Sequence, residues 1–171
     1  LDYVTVIDDL SVEISFSADL SGEIDDFRLM RSSSLQTPFT NCLTFMDIGQ
    51  SPFTMDDQVA TQGAQYHYRV DALNGCLDPI SSSNTGTNIV LTGMTEGSIA
   101  TLSWNPYTVY EGSLEGYSIY RINPSGEYDL INTVGPEANT YIEDISLIGQ
   151  DTMKGEISYR VLAKESDDNP Y

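Results

Sequence analysis

Apolar and polar residues alternate with a period of two along most of the chain. In VEISFS, Val12, Ile14 and Phe16 alternate with Glu13, Ser15 and Ser17. In ATLSW, Ala100, Leu102 and Trp104 share one side, and in YSIYR Tyr117 and Ile119 do so. In YHYRVDA, Tyr66, Tyr68, Val70 and Ala72 share a face, and His67, Arg69 and Asp71 share the polar one. Such alternation predicts strands with one buried face. No segment holds a 3.6-residue period over three turns. Turn formers fall between the runs: Ser21-Gly22, Asn74-Gly75, Asn123-Pro124-Ser125-Gly126 and Gly135-Pro136. Short strands at near-regular spacing predict an all-β sandwich or barrel. The predicted strands cover 3–7, 11–18, 26–32, 42–48, 52–56, 65–73 and 85–92, then 99–105, 116–122, 128–134, 140–143 and 156–164.

The pattern is written twice. YRVDA at 68–72 returns as YRVLA at 159–163, 91 positions later. FRLMR at 27–31 precedes YSIYR at 117–121 by 90, and Phe16 precedes Trp104 by 88. FTMDD at 53–57 precedes YIEDI at 141–145 by 88, which sets Asp56 opposite Asp144. Gly49 precedes Gly135 by 86. A period near 90 is too long for a solenoid and suits a small globular domain. Two domains are therefore expected, 1–91 and 92–171. The second copy is one strand short, because ESDDNPY closes the sequence where the first copy goes on to TNIVLT. The sequence is expected to end inside a loop. The expected inward set is Phe16, Tyr66, Tyr68, Val70, Ala72, Trp104, Tyr117, Ile119, Tyr159, Val161 and Ala163, with Arg69 and Arg160 outward.

Charge narrows the partners. The net charge is −19, from 26 acidic and 7 basic residues. Residues 1–91 carry 13 acids and 3 bases, and 92–171 carry 13 and 4, so both copies are acidic. That opposes nucleic acid and anionic membrane surfaces and favours solubility and a monomer. No apolar run approaches the length of a membrane span. The opening LDYVTVID has no basic n-region and does not read as a signal peptide. It reads as a mature fragment or as a chain whose start lies upstream.

The residues now on the page resemble fibronectin type III domains: Trp104 on the second strand, Tyr117, Ile119, Tyr120 and Arg121 on the third, and Tyr66, Tyr68, Val70 and Ala72 on the sixth. The resemblance implies two tandem immunoglobulin-like sandwiches. It also implies a tyrosine corner in which Tyr66 bonds back to the preceding loop. Ile157 stands in that place in the second copy, and Phe16 stands for the Trp in the first. A narrower resemblance rests on LSWNPYTVYEGSLEGYSIYR (102–121), YIED and the Asn-Gly-Cys of the first copy. These look like domains of gliding-motility-associated surface proteins exported by type IX secretion. That implies an extracellular or cell-surface location within a larger protein.

Candidate chemistry is sparse. Cys42 and Cys76 are the only cysteines. Either they form a disulfide between the fourth strand and the loop after the sixth, contributing about 3–4 kcal/mol by loop closure, or they are two free thiols. The lone His67 cannot build a structural zinc site, which takes four Cys or His ligands. Asp8, Asp9, Asp56 and Asp57 are the calcium candidates. None lies in a D-x-D-x-D loop, and turn formation at strand ends is their simpler role. No G-x-S-x-G, P-loop or Ser-His-Asp set is present, and no carboxylate pair stands out as glycosidase machinery. The chain is expected to be no enzyme and to need no cofactor, calcium being the one ion its acids could take. Its expected role is a spacer or protein-interaction segment whose partners are neighbouring domains. The alternative is a glycan-binding or adhesion module using the loop around Tyr107 and Tyr110, stiffened by calcium. Tyrosines placed in loops either stack on sugars and partners or pack the loop locally.

Overall fold

The computed structural model describes residues 1–20, 24–45, 51–107, 113–123, 125–148 and 157–166. It divides into two units, Leu1–Asn88 and Ile89–Tyr171. The first unit holds β1 (Tyr3–Asp8), β2 (Ser11–Phe16), β3 (Asp26–Ser32), β4 (Thr40–Phe45), β5 (Phe53–Gln58), β6 (His67–Leu73), β7 (Pro79–Ser82) and β8 (Gly86–Thr87). The second holds β9 (Leu91–Glu96), β10 (Ile99–Trp104), β11 (Leu114–Ile122), β12 (Tyr128–Val134), β13 (Thr140–Asp144) and β14 (Tyr159–Glu165). All pairings are antiparallel.

In the first unit, the sheet β1-β2-β5 lies against β4-β3-β6-β7, with β8 also paired to β6. Alternation produces the core directly. Val12, Ile14 and Phe16 of β2 and Phe53 and Met55 of β5 meet Phe27 and Leu29 of β3 and Tyr68, Val70 and Ala72 of β6. Phe16, Phe27 and Phe53 form a triangle of rings with centroids 5.0–5.2 Å apart. Tight aromatic packing of this kind adds to the area term.

The second unit repeats the plan with β9-β10-β13 and β12-β11-β14. Leu102, Trp104, Tyr107, Tyr117, Ile119 and Val161 form its buried core. Trp104 meets Tyr117 edge-on at 5.5 Å. A two-residue turn, Gly97-Ser98, joins β9 to β10, and Gly97 takes the positive φ (60°) that such hairpins require. Among the described residues no strand follows β14.

Two expectations about boundaries change. The units part between Asn88 and Ile89, not at 91/92. Thr87 and Asn88 are fully buried in the first unit, whereas Ile89 and Leu91 pack against the second core. The expected strand 85–92 is therefore split, and its tail opens the second unit as β9. The repeat register on β5 also shifts. Val12 pairs with Asp57 and Ala100 pairs with Glu143, so Glu143 is the counterpart of Asp57, 86 positions on. Asp56 and Asp144 are not equivalent. The slip is two residues, which keeps the same side chains inward and so leaves the alternation blind to it.

Candidate functional site

The repeated YRV strands use each residue differently. Tyr68 is fully buried, and its hydroxyl crosses the core to donate to Asp57 Oδ2 at 3.0 Å. Arg31, the register partner of Tyr68, donates from Nη1 to the same oxygen at 2.5 Å. The Arg31 guanidinium also lies over the Tyr66 ring, 5.3 Å from its centroid. The second unit builds the same cluster. Arg121 pairs with Tyr159 in register, Tyr159 donates to Glu143 Oε2 at 2.6 Å, and Arg121 donates to Glu143 Oε1. Each cluster ties a carboxylate on one sheet to a hydroxyl and a guanidinium on the other. Burial, then the adjacent carboxylate, pushes both tyrosines well above their ordinary pKa, so they stay protonated donors.

The arginine of each YRV strand points outward and stacks on an aromatic ring. Arg69 lies 5.0 Å from the Phe39 centroid, and Arg160 lies 5.5 Å from that of Tyr128. Arg69 also grips Asp71 through Nε at 2.8 Å and Nη2 at 3.3 Å. Arg28 and Ser82 complete the shell of that buried carboxylate. Tyr66 donates its hydroxyl to the Ala60 carbonyl at 2.9 Å, six residues upstream, which is a tyrosine corner. Both units are fibronectin type III-like sandwiches.

No family model matches the sequence, and no curated protein matches it. Among solved structures, the chicken CNTN1 FN1-FN3 domains align at 13% identity with a TM-score of 0.39. The alignment covers 92% of this chain and 57% of that one. At this score the likeness carries no argument of its own. The fold-class assignment rests on the strand order, the facing sheets and the tyrosine corner.

The candidate residues fall as follows. Tyr107 is only 7% exposed and belongs to the core, with its backbone N–H donating to the Tyr117 hydroxyl at 2.7 Å. It offers no ring to a ligand, which corrects the loop-contact expectation for this residue. Tyr110 lies outside the described residues. Cys42 and Cys76 are free thiols, not a bridge. Cys42 sits on the edge strand β4, while Cys76 sits in the turn after β6, with β3 between those strands. Two strand spacings, about 10 Å, exceed what a disulfide spans.

Asp8 accepts from the Leu10 N–H at 2.8 Å and the Ser11 hydroxyl at 2.9 Å, and these bonds, in that order, lower its pKa. Asp57 points into the first core, and its neighbour Asp56 takes the opposite face of β5, beside Glu13 in register. Asp9 is exposed, and its carbonyl accepts from the Thr61 N–H at 3.0 Å. Among the described residues no three acidic, His or Cys side chains converge as a metal set would need. His67 is on the polar face, as its parity requires, yet it is only 7% exposed and its Nδ1 has no partner. Burial lowers its pKa. Sequence reading missed the Arg–carboxylate–Tyr clusters. Their signal was present in the repeated Arg at the ends of FRLMR and YSIYR.

Proposed function

We propose that the chain is a non-catalytic segment of a larger secreted or cell-surface protein, acting as a spacer or protein-interaction module. One observation carries this reading. The features that repeat between the copies, the buried Arg–carboxylate–Tyr cluster and the outward Arg–aromatic stack, hold sheets and strands together. Among the described residues no helix is long and apolar enough to cross a membrane, and the net charge of −19 favours a water-filled exterior over nucleic acid. The gliding-motility and type IX context is supported only by the resemblance that 102–121, YIED and Asn-Gly-Cys carry, and it is the finer form of this proposal. The glycan-binding alternative loses Tyr107 and rests on Tyr110 alone.

The test places the chain between a cell-surface anchor and a reporter epitope. A spacer keeps the epitope accessible when residues 1–171 are exchanged for an unrelated pair of sandwiches of equal length. Dependence on this particular sequence overturns the spacer reading in favour of an interaction module. Glycan binding that disappears in Tyr110→Ala establishes the alternative.

A further inference from the structure

Two turns of the chain are built alike. Between β6 and β7, Asn74 donates its N–H to the Asp78 carbonyl at 3.0 Å, and its carbonyl accepts from the Leu77 N–H at 2.8 Å. Its side-chain Oδ1 accepts from the Cys76 and Asp78 N–H groups, each at 3.0 Å. Between β11 and β12, Asn123 donates to the Glu127 carbonyl at 2.8 Å and accepts from the Gly126 N–H at 2.9 Å. Its Oδ1 accepts from Ser125 and Glu127, each at 3.0 Å. In both, the main chain folds around the side chain of the leading Asn.

The two turns differ at two places. In the later one, the residue after Asn123 is Pro124, which carries no N–H, and Gly126 takes the positive φ (88°). In the earlier one these residues are Gly75 and Leu77, and Leu77 is held at φ 63°, where a side chain is disfavoured. Asn74 is the only Asn in the sequence that is followed by Gly. Gly75 is exposed, and it has no side chain to hinder its own nitrogen. Among the described residues neither the Gly75 N–H nor Asn74 Nδ2 has a hydrogen-bond partner. Both bonds to the Asn74 side chain fall on Oδ1. Donors placed on a carbonyl oxygen hold the negative charge that develops there when its carbon is attacked.

We propose that Asn74–Gly75 is a self-modification site, at which the folded turn converts the asparagine into aspartate and isoaspartate with water as the only co-reactant. The Gly75 nitrogen bonds to Asn74 Cγ and gives its proton to water. The Cγ–Nδ2 bond then breaks and Nδ2 leaves as ammonia, which closes a five-membered succinimide. Water adds to one of the two ring carbonyls. Cleavage of the new bond from Cγ to nitrogen yields aspartate, and cleavage of the original peptide bond yields isoaspartate. One water enters for each succinimide opened, one ammonia has left, and nothing is oxidised or reduced. Aspartate keeps an acceptor for Cys76 and Asp78 but adds a charge beside Asp25, whose Oδ2 lies 3.4 Å from where a Cβ on Gly75 would stand. Isoaspartate takes the Cγ carbonyl into the main chain, so the turn loses its side-chain cap. The mark is irreversible and accumulates with the age of the chain. Asn123 is exempt, because the Pro124 nitrogen has no proton to give. The inference is independent of the spacer reading, which survives its failure.

The test holds the whole folded chain in neutral buffer at body temperature for several weeks, beside a sample unfolded in urea, and maps peptides by mass spectrometry. The expected result is a gain of about 1 Da, the mass of an amide exchanged for an acid, confined to the peptide that carries Asn74, with isoaspartate found there. The folded chain is expected to convert at least as fast as the unfolded one. Gly75→Pro copies the later turn and is expected to abolish the reaction while leaving circular dichroism unchanged. Gly75→Ala, whose methyl meets Asp25 at an ordinary contact distance, replaces it if Gly75→Pro misfolds, and it is expected to slow conversion severalfold. A folded chain that keeps Asn74 intact while the unfolded chain converts overturns the inference, as does conversion that persists unslowed in the variant.

Discussion

Tyr68→Phe isolates the hydroxyl that crosses the first core. The ring stays, so packing against Tyr66 and the β2 side chains is kept, and only the 3.0 Å bond to Asp57 is lost. Asp57 retains Arg31 at 2.5 Å, so the carboxylate remains paired. A hydrogen bond to a charged group contributes about 1.5–3 kcal/mol, and about 2 kcal/mol is expected here, since both the ring and the carboxylate are buried. For a unit of this size that lowers the thermal midpoint by about 8–16 °C. The assay separates the units without cutting the chain. Trp104 is the only tryptophan and sits in the second core, so its fluorescence follows that unit, and circular dichroism follows both. In Tyr68→Phe the first transition should fall while the fluorescence midpoint holds. Asp57→Ala should cost more, about 3–5 kcal/mol, by stripping a guanidinium and a hydroxyl of their shared acceptor. The reasoning fails if Tyr68→Phe changes stability by less than about 0.5 kcal/mol, the usual scatter for a neutral substitution. It fails also if Tyr68→Phe shifts the Trp104 transition instead.

Three further outcomes follow from single sites. A methyl at Gly116 would lie 2.2 Å from the Val134 carbonyl oxygen, so Gly116→Ala should destabilise the second unit by about 1–3 kcal/mol and lower the fluorescence midpoint; an unchanged midpoint would contradict that close approach. Burial lowers the His67 pKa, so the unfolded chain binds the proton first as pH falls below about 6.5, and the stability His67 permits above that value is lost on acidification. The first unit of wild type should therefore lose more stability between pH 7 and 5 than His67→Gln does, and equal slopes would contradict this. Both thiols should react in the folded chain, Cys76 quickly and Cys42 slowly, because burial pushes the Cys42 thiol up and the thiolate is the reactive form; a midpoint that falls on adding reductant would show a bridge instead.

Much of the fold could be read from alternation, because a half-buried strand must place every second side chain inward. Phe16, Tyr68 and Val70 face the core as that parity requires, and so do Trp104, Tyr117 and Ile119. What parity cannot see is a shift of two, which is why Glu143, and not Ile145, proved the counterpart of Asp57. Nor does it see β9, where Gly93 takes an inward place and Met94 an outward one. Tyr107 looked like a loop residue because no alternation reaches it. Its burial depends on the Tyr117 hydroxyl accepting its N–H, a pairing between residues ten apart that only the folded chain brings together. The free thiols follow from strand order, which spacing in sequence does not disclose.

The path of the chain through the first unit has a mechanical consequence. Leu1 is anchored to Asn84, and Asp2 to Ser15, at one end of the sandwich. Asn88 leaves from the other end, bonded to Ala64 and Tyr66, near the Asp9–Thr61 bond that closes the turn between β1 and β2. Tension between residues 1 and 88 therefore runs along β1 and β8, perpendicular to their inter-strand hydrogen bonds. The rungs from Tyr3–Ser15 to Val6–Val12 are strained in shear, all at once, and cannot be opened one by one like a zip. Rupture then has to break several bonds in a single step, so a pull between residues 1 and 88 should meet more resistance than one that opens the same rungs in turn.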